Sequence, residues 1–149
     1  MAHYAFINSD NIVVEVITGK DESETAPEGF DNWEAYYENK REGLTCKRTS
    51  YNTLHNTHLF DGTPFRGNYA GMQMIYDSEN DIFLEPKPFD SWVVDTDNAV
   101  WKAPTDKPND DNIYYWDESN TQWVIRPDVP TEEGTWVWSH AGMQWIDIS

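Results

Sequence analysis

The chain has 149 residues, 27 of them acidic against 10 basic, and a formal net charge of −17. That length bounds it to one domain, or to a small domain with an appended module. An acidic balance of this size excludes polyphosphates and anionic membrane surfaces as partners, because binding them relies on cations that displace condensed counterions.

Cys46 is the single cysteine, so neither an internal disulfide nor a cysteine-based zinc site can form. The start, MAHYAFINSDN, lacks the basic and apolar regions of a secretion signal, and no apolar run approaches the ~20 residues of a membrane span. The expectation is a soluble chain made in a cytoplasm.

In chain order, residues 1–19 read as a first β-hairpin. Its corner carries a pattern that recurs: a turn former, Asn or Gly three places on, and an apolar residue six places on. The five copies are Asn8/Asn11/Val14, Asp77/Asn80/Phe83, Asp95/Asn98/Trp101, Asp117/Asn120/Trp123 and Ser139/Gly142/Trp145. Asp, Asn or Ser at the first corner of a type I turn can hydrogen-bond the backbone further on, and Asn or Gly at the fourth tolerates a left-handed conformation. Each copy therefore predicts one hairpin. The register stays open: a three-residue loop sets Tyr115 opposite Trp123, whereas a two- or four-residue loop pairs Trp116 with Trp123.

Residues 20–29 are polar and acidic, a loop. Asp31 then has the position of a helix N-cap with Glu34 three residues on, and Gly43 is a stop, which predicts a helix over 32–42. Trp33, Tyr36 and Tyr37 fall on one face of it, suited to packing on a sheet. Residues 44–71 show neither period and read as a long irregular loop, a feature that usually has a task. Lys40, Arg41, Lys47, Arg48 and Arg66 are half of all the basic residues, and between 40 and 70 only Glu42 and Asp61 oppose them. Lys47, Arg48, Tyr51, Phe65, Arg66 and Tyr69 are accordingly the candidate docking residues.

From residue 75 onward the corners are spaced 18, 22 and 22 residues apart and punctuated by prolines, which end strands. The predicted architecture is mainly β: about five serial antiparallel hairpins, one short helix and the long loop. It divides into a body at 1–126 and an appended hairpin at 127–149, which is too small to stand alone and should dock on something. Hairpins of this kind also suit pairing between copies of the chain.

The acids at 77, 79 and 81 match the opening of a calcium loop, but Ile82 stands where glycine is needed and Pro88 where a bidentate Glu should be. His55 and His58 lack a helical frame or a nearby cysteine. No metal, cofactor or catalytic residue is therefore assigned, and no nucleophile with its base is marked by spacing.

The runs KRTSYNT at 47–53, GTPFRGNYAGM at 62–72, IYDSENDIFLEPKPFDSWVVDTDNAVWKAP at 75–104 and YYWDESNTQWV at 114–124 resemble small virion structural proteins of tailed marine bacteriophages, particularly those of cyanobacteria. The resemblance covers about residues 1–126, and the hairpin at 128–149 lies outside it. It implies a non-enzymatic virion component, capsid decoration first and tail or baseplate second, whose partners are other virion proteins and copies of itself. The alternative is a carbohydrate-binding module of a tail fibre, with Trp101, Trp123 and Trp145 as flat platforms for host glycans.

Overall fold

A computed structural model describes the whole chain, Met1–Ser149. It is mainly β: strands β1 (Ala2–Ile7) and β2 (Val13–Gly19), helix α1 (Trp33–Asn39), strand β3 (Thr45–Thr49), and then β4 (Thr53–Leu54) and β5 (Thr57–His58). Four further hairpins follow: β6 (Ile75–Asp77) with β7 (Ile82–Leu84), β8 (Val93–Asp95) with β9 (Val100–Lys102), β10 (Tyr114–Asp117) with β11 (Gln122–Ile125), and β12 (Trp136–Ser139) with β13 (Gln144–Asp147).

All five corners join paired antiparallel strands, but the left-handed residue is the expected one only in the first, where Asn11 has φ 61°. In the other four it falls one residue later, on Asp81 (54°), Ala99 (50°), Thr121 (49°) and Met143 (52°). The loops are four residues long, so Trp116 pairs with Trp123 and the three-residue register is excluded. Asn80, Asn98 and Asn120 serve instead as clamps. Each donates its backbone N–H to one oxygen of the corner aspartate and its side-chain amide to the other; for Asn120 on Asp117 the distances are 3.3 and 2.7 Å. Gly142 has no side chain to do this, and its N–H bonds Ser139 Oγ at 3.0 Å.

The helix is shorter than the sequence predicts, and its N-cap is Asn32 rather than Asp31: Asn32 Oδ1 accepts Ala35 N at 2.8 Å. The larger correction concerns 44–71. It contains β3, which pairs with β1 to make a three-stranded sheet of order β2-β1-β3, and the β4–β5 hairpin, whose corner residues His55 and Asn56 both have positive φ. β3 lacks an apolar alternation because much of its support comes from its edge. Glu38 Oε2 accepts Cys46 N at 2.8 Å and Glu34 Oε1 accepts Arg48 N at 2.7 Å.

One face of the sheet packs Tyr4, Phe6 and Cys46 under Trp33 and Tyr37 of α1. The other packs Ala5, Ile7 and Val13 against Ala70, Met74, Tyr76 and Phe83, and so receives the β6–β7 hairpin. On the far face of that hairpin, Ile82 and Leu84 meet Val94 and Trp101 of β8–β9.

The chain forms two compact units, one of Met1–Pro88 with Val93–Lys102 and one of Phe89–Trp92 with Ala103–Ser149. The division therefore does not fall at residue 126. In the second unit Trp92 packs on Trp116 and Trp123, and Tyr115, on the opposite face of β10, meets Trp138 at 5.3 Å. The last hairpin is thus docked on the one before it. No helix is long and apolar enough to cross a membrane.

Candidate docking site

The expected docking residues divide sharply once placed. Arg48 lies near the end of β3 on the helix side of the sheet, with its guanidinium 4.3 Å from the centre of the Phe65 ring and paired with no carboxylate. Lys47 points to the other face, 5.9 Å from the Tyr76 ring, and is likewise in no ion pair. Arg48, Tyr51 and Phe65 line one open cleft of about 440 Å³ with His3, Asn52 and Pro64. Tyr69 reaches it through His3, whose ring takes edge contacts from Tyr51 at 5.3 Å and Tyr69 at 5.5 Å.

Arg66 is a correction. Its side chain is only 13% exposed, and it is held by Glu34, by the Arg48 carbonyl at 2.9 Å and by Asp81 at 2.9 Å. Burial disfavours the Arg66 cation, but the Glu34 hydrogen bond and the charges of Glu34 and Asp81 outweigh it and raise its pKa. This charge is internal and not offered to a partner. Arg41 is similarly occupied, bonding Glu15 through two nitrogens at 3.0 and 3.1 Å.

The same segment presents residues that sequence reasoning missed. Leu54, Leu59 and Met72 are exposed, and Phe60 is 76% exposed. The Leu59–Phe60 knob is fixed because His58 Nδ1 accepts the amides of both Phe60 and Gly62 at 3.1 Å. The signal was available in outline, since large apolar residues spaced without period beside turn formers cannot all be buried.

Trp101, Trp123 and Trp145 are joints. Their indole N–H groups donate to the backbone carbonyls of Glu85, Thr105 and Pro127 at 2.7, 2.8 and 2.9 Å, each in the linker that precedes the hairpin. Lys87 lies over Trp101 and Arg126 over Trp145, while Trp123 packs on Trp92 and Trp116. An indole so engaged offers less to a sugar than a free flat ring does.

Cys46 is buried, and burial, followed by the charges of Glu34 and Glu38, pushes its thiol up to about 12, which is the opposite of a reactive cysteine. No group of three His, Cys, Asp or Glu side chains is placed to hold a metal ion. The chain matches no family model, no curated protein and no solved structure.

Proposed function

We propose that this protein is an accessory structural component of a bacteriophage virion, on the capsid first and on the tail or baseplate second, and that it works by docking rather than by catalysis. The observation that carries the docking is the 51–72 segment: Tyr51, Leu54, Leu59, Phe60, Tyr69 and Met72 stand exposed in it, and Tyr51 lines one cleft with the unpaired Arg48. Six large apolar or aromatic residues exposed within 22 residues of chain are a concentration of the kind that marks interaction surfaces. The partner is another virion protein with an acidic, partly apolar surface, toward which Arg48 supplies a local attraction on a chain of net charge −17, while Lys47 lies on the other face of the sheet. The phage assignment itself rests on the resemblance of the runs at 47–53, 62–72, 75–104 and 114–124.

Particles assembled with Phe60→Asp or Arg48→Glu should retain about a tenth or less of the wild-type protein, the tenfold that ~1.4 kcal/mol represents. Occupancy measured by mass spectrometry of purified virions decides it. Unchanged occupancy for both variants would sink the docking site, and absence of the wild-type chain from virions would sink the virion assignment. Arg66 is left intact because its partners Glu34 and Asp81 are internal, so replacing it should destabilise the fold and imitate a docking defect.

A further inference from the structure

Arg48 is the one Lys or Arg in the lining of the cleft of about 440 Å³ that Tyr51 and Phe65 also form. The fold engages only its main chain: the N–H donates to Glu34 at 2.7 Å, and the carbonyl accepts from Arg66 at 2.9 Å. Its guanidinium forms no ion pair and lies 4.3 Å from the centre of the Phe65 ring. A guanidinium stacked on a ring keeps its N–H edges free while its plane is held. A bidentate acceptor therefore costs it less freedom than it would cost a loose arginine.

The rest of the lining has the same bias toward donors. The hydroxyls of Tyr51 and Thr63 have no acceptor in the chain, and Ser50 Oγ accepts the Asn52 N–H at 3.4 Å but donates to nothing. Asp21 is the only carboxylate in the lining, and it is engaged. Its Oδ1 accepts the N–H and O–H of Ser23 at 3.0 and 2.9 Å, and its Oδ2 faces the Met1 amine at 3.6 Å. Donors without acceptors around a held guanidinium fork suit an anion. Beside them, Ala2 and Pro64 make the wall apolar.

The charge of the chain selects among anions. A net −17 repels a dianion about twice as strongly as a monoanion in the same place, and a single arginine offsets one charge. A carboxylate therefore fits better than a phosphate. Acids elsewhere on the surface are screened over ~8 Å at physiological ionic strength, so the unpaired cation inside the cleft decides the local preference.

We propose that this cleft receives one carboxylate of a partner protein, an Asp or Glu side chain standing beside an apolar one. Arg48 takes the carboxylate through its fork, and the apolar neighbour lies along Ala2 and Pro64. The proposal rests on the docking reading and describes its partner chemically: charge complementarity selects the acidic residue, and the apolar wall selects what stands next to it.

The probe is the blocked dipeptide acetyl-Phe-Glu-amide, titrated into the purified full chain at ~0.15 M salt and followed by NMR of the Arg48 side-chain N–H and of the main-chain amides at Ser50, Tyr51 and Thr63. It should saturate these signals with a Kd of about 1 mM or tighter. Acetyl-Phe-Gln-amide, of the same shape without the charge, should bind at least about tenfold more weakly. Arg48→Gln keeps the main-chain bonds to Glu34 and Arg66, and it should weaken the Glu peptide by about tenfold or more. Lys47→Gln makes the same change of charge on the other face of the sheet and should leave binding within about twofold. Equal affinity for the two peptides, or equal weakening by the two variants, overturns the proposal. So does tighter binding of the free acid 3-phenylpropionate than of the Glu peptide, since the cleft would then be a site for small acids. No virion enters this assay, so absence of peptide binding overturns the carboxylate site and leaves particle occupancy to decide docking by itself.

Discussion

Glu34 Oε1 accepts the main-chain N–H of Arg48 at 2.7 Å, and in doing so helix α1 closes the edge of a β-sheet with a side chain. Glu38, one turn on, does the same for Cys46, two residues away in β3, so an i, i+4 pair on a helix matches the i, i+2 spacing of outward amides on an edge strand. The same Glu34 oxygen also bonds Arg66. Glu34→Ala should therefore remove both contacts and leave Arg66 with Asp81 and the Arg48 carbonyl, at a cost of about 2–3 kcal/mol. Urea unfolding measures it. A loss under ~0.5 kcal/mol would mean that β3 holds its place without the helix.

The pairing of strands was legible in the residues wherever the determinants are local. A corner aspartate with Asn three places on and an aromatic six places on specifies a hairpin by itself, and each of those corners joins paired strands. β3 was not legible, because its partners, Glu34 and Glu38 on α1 and the centre of the sheet in β1, lie at a distance in sequence, and TCKRT has no pattern of its own. The charge of Arg66 misled for the same reason: a count of basic residues over 40–70 cannot see Glu34 and Asp81 arriving from outside that window. The exposed Phe60 was hidden among turn signals. Of the docking residues, Arg48, Tyr51 and Phe65 converge on one cleft, whereas the three tryptophans are recruited to hold linkers.

Thr121 is a β-branched residue at φ 49°, a conformation costly for any side chain branched at Cβ. Thr121→Gly should stabilise the second unit by about 1 kcal/mol, relief of the left-handed strain exceeding the entropy that glycine adds to the unfolded chain. Ala99 has a similar φ of 50°, but it is 2% exposed and packs with Ile82 and Leu84, so Ala99→Gly should bring no such gain. Thermal unfolding of the two variants distinguishes backbone strain from packing, and equal effects would refute the distinction.

Tyr4 and Tyr76 both have their pKa raised, first by burial and then by hydrogen bonds to Glu22 and Asp81. A tyrosine whose folded pKa lies above its unfolded value, about 10, contributes stability that is fully present below that pH and is lost as pH rises beyond it. Alkaline unfolding should thus begin above about pH 10, with neither phenol titrating at 295 nm while the protein remains folded. The Cys46 thiol, pushed up to about 12, should stay unreactive to alkylating agents over the same range until unfolding. At the acid end, the Asn98 and Asn120 side chains hold the carboxyls of Asp95 and Asp117 below their ordinary pKa. These corners should accordingly persist until the pH falls below the usual carboxylate range. Tyrosine ionisation complete at pH 10.5 in the folded state would contradict the burial of these rings.

Asn68 joins three segments from a site that is 4% exposed. Its Oδ1 accepts His55 N at 2.8 Å, and its Nδ2 donates to the carbonyls of Phe83 at 2.7 Å and Ala99 at 2.8 Å. One amide thereby ties the β4–β5 corner to β7 and to the start of β9. Asn68→Ala leaves the buried carbonyls of Phe83 and Ala99 without this donor and the part-buried His55 N–H without its acceptor, and should cost about 2–3 kcal/mol. Asn68→Asp preserves the acceptor for His55 but turns a negative charge on two carbonyls, so it should be at least as damaging at neutral pH and partly recover as the carboxylate is protonated. Because the loss falls on the junction of β6–β7 with β8–β9, hydrogen exchange in Asn68→Ala should accelerate there before it does in β10–β13, which belong to the other compact unit. Uniform acceleration across both units would show instead that the two unfold as one.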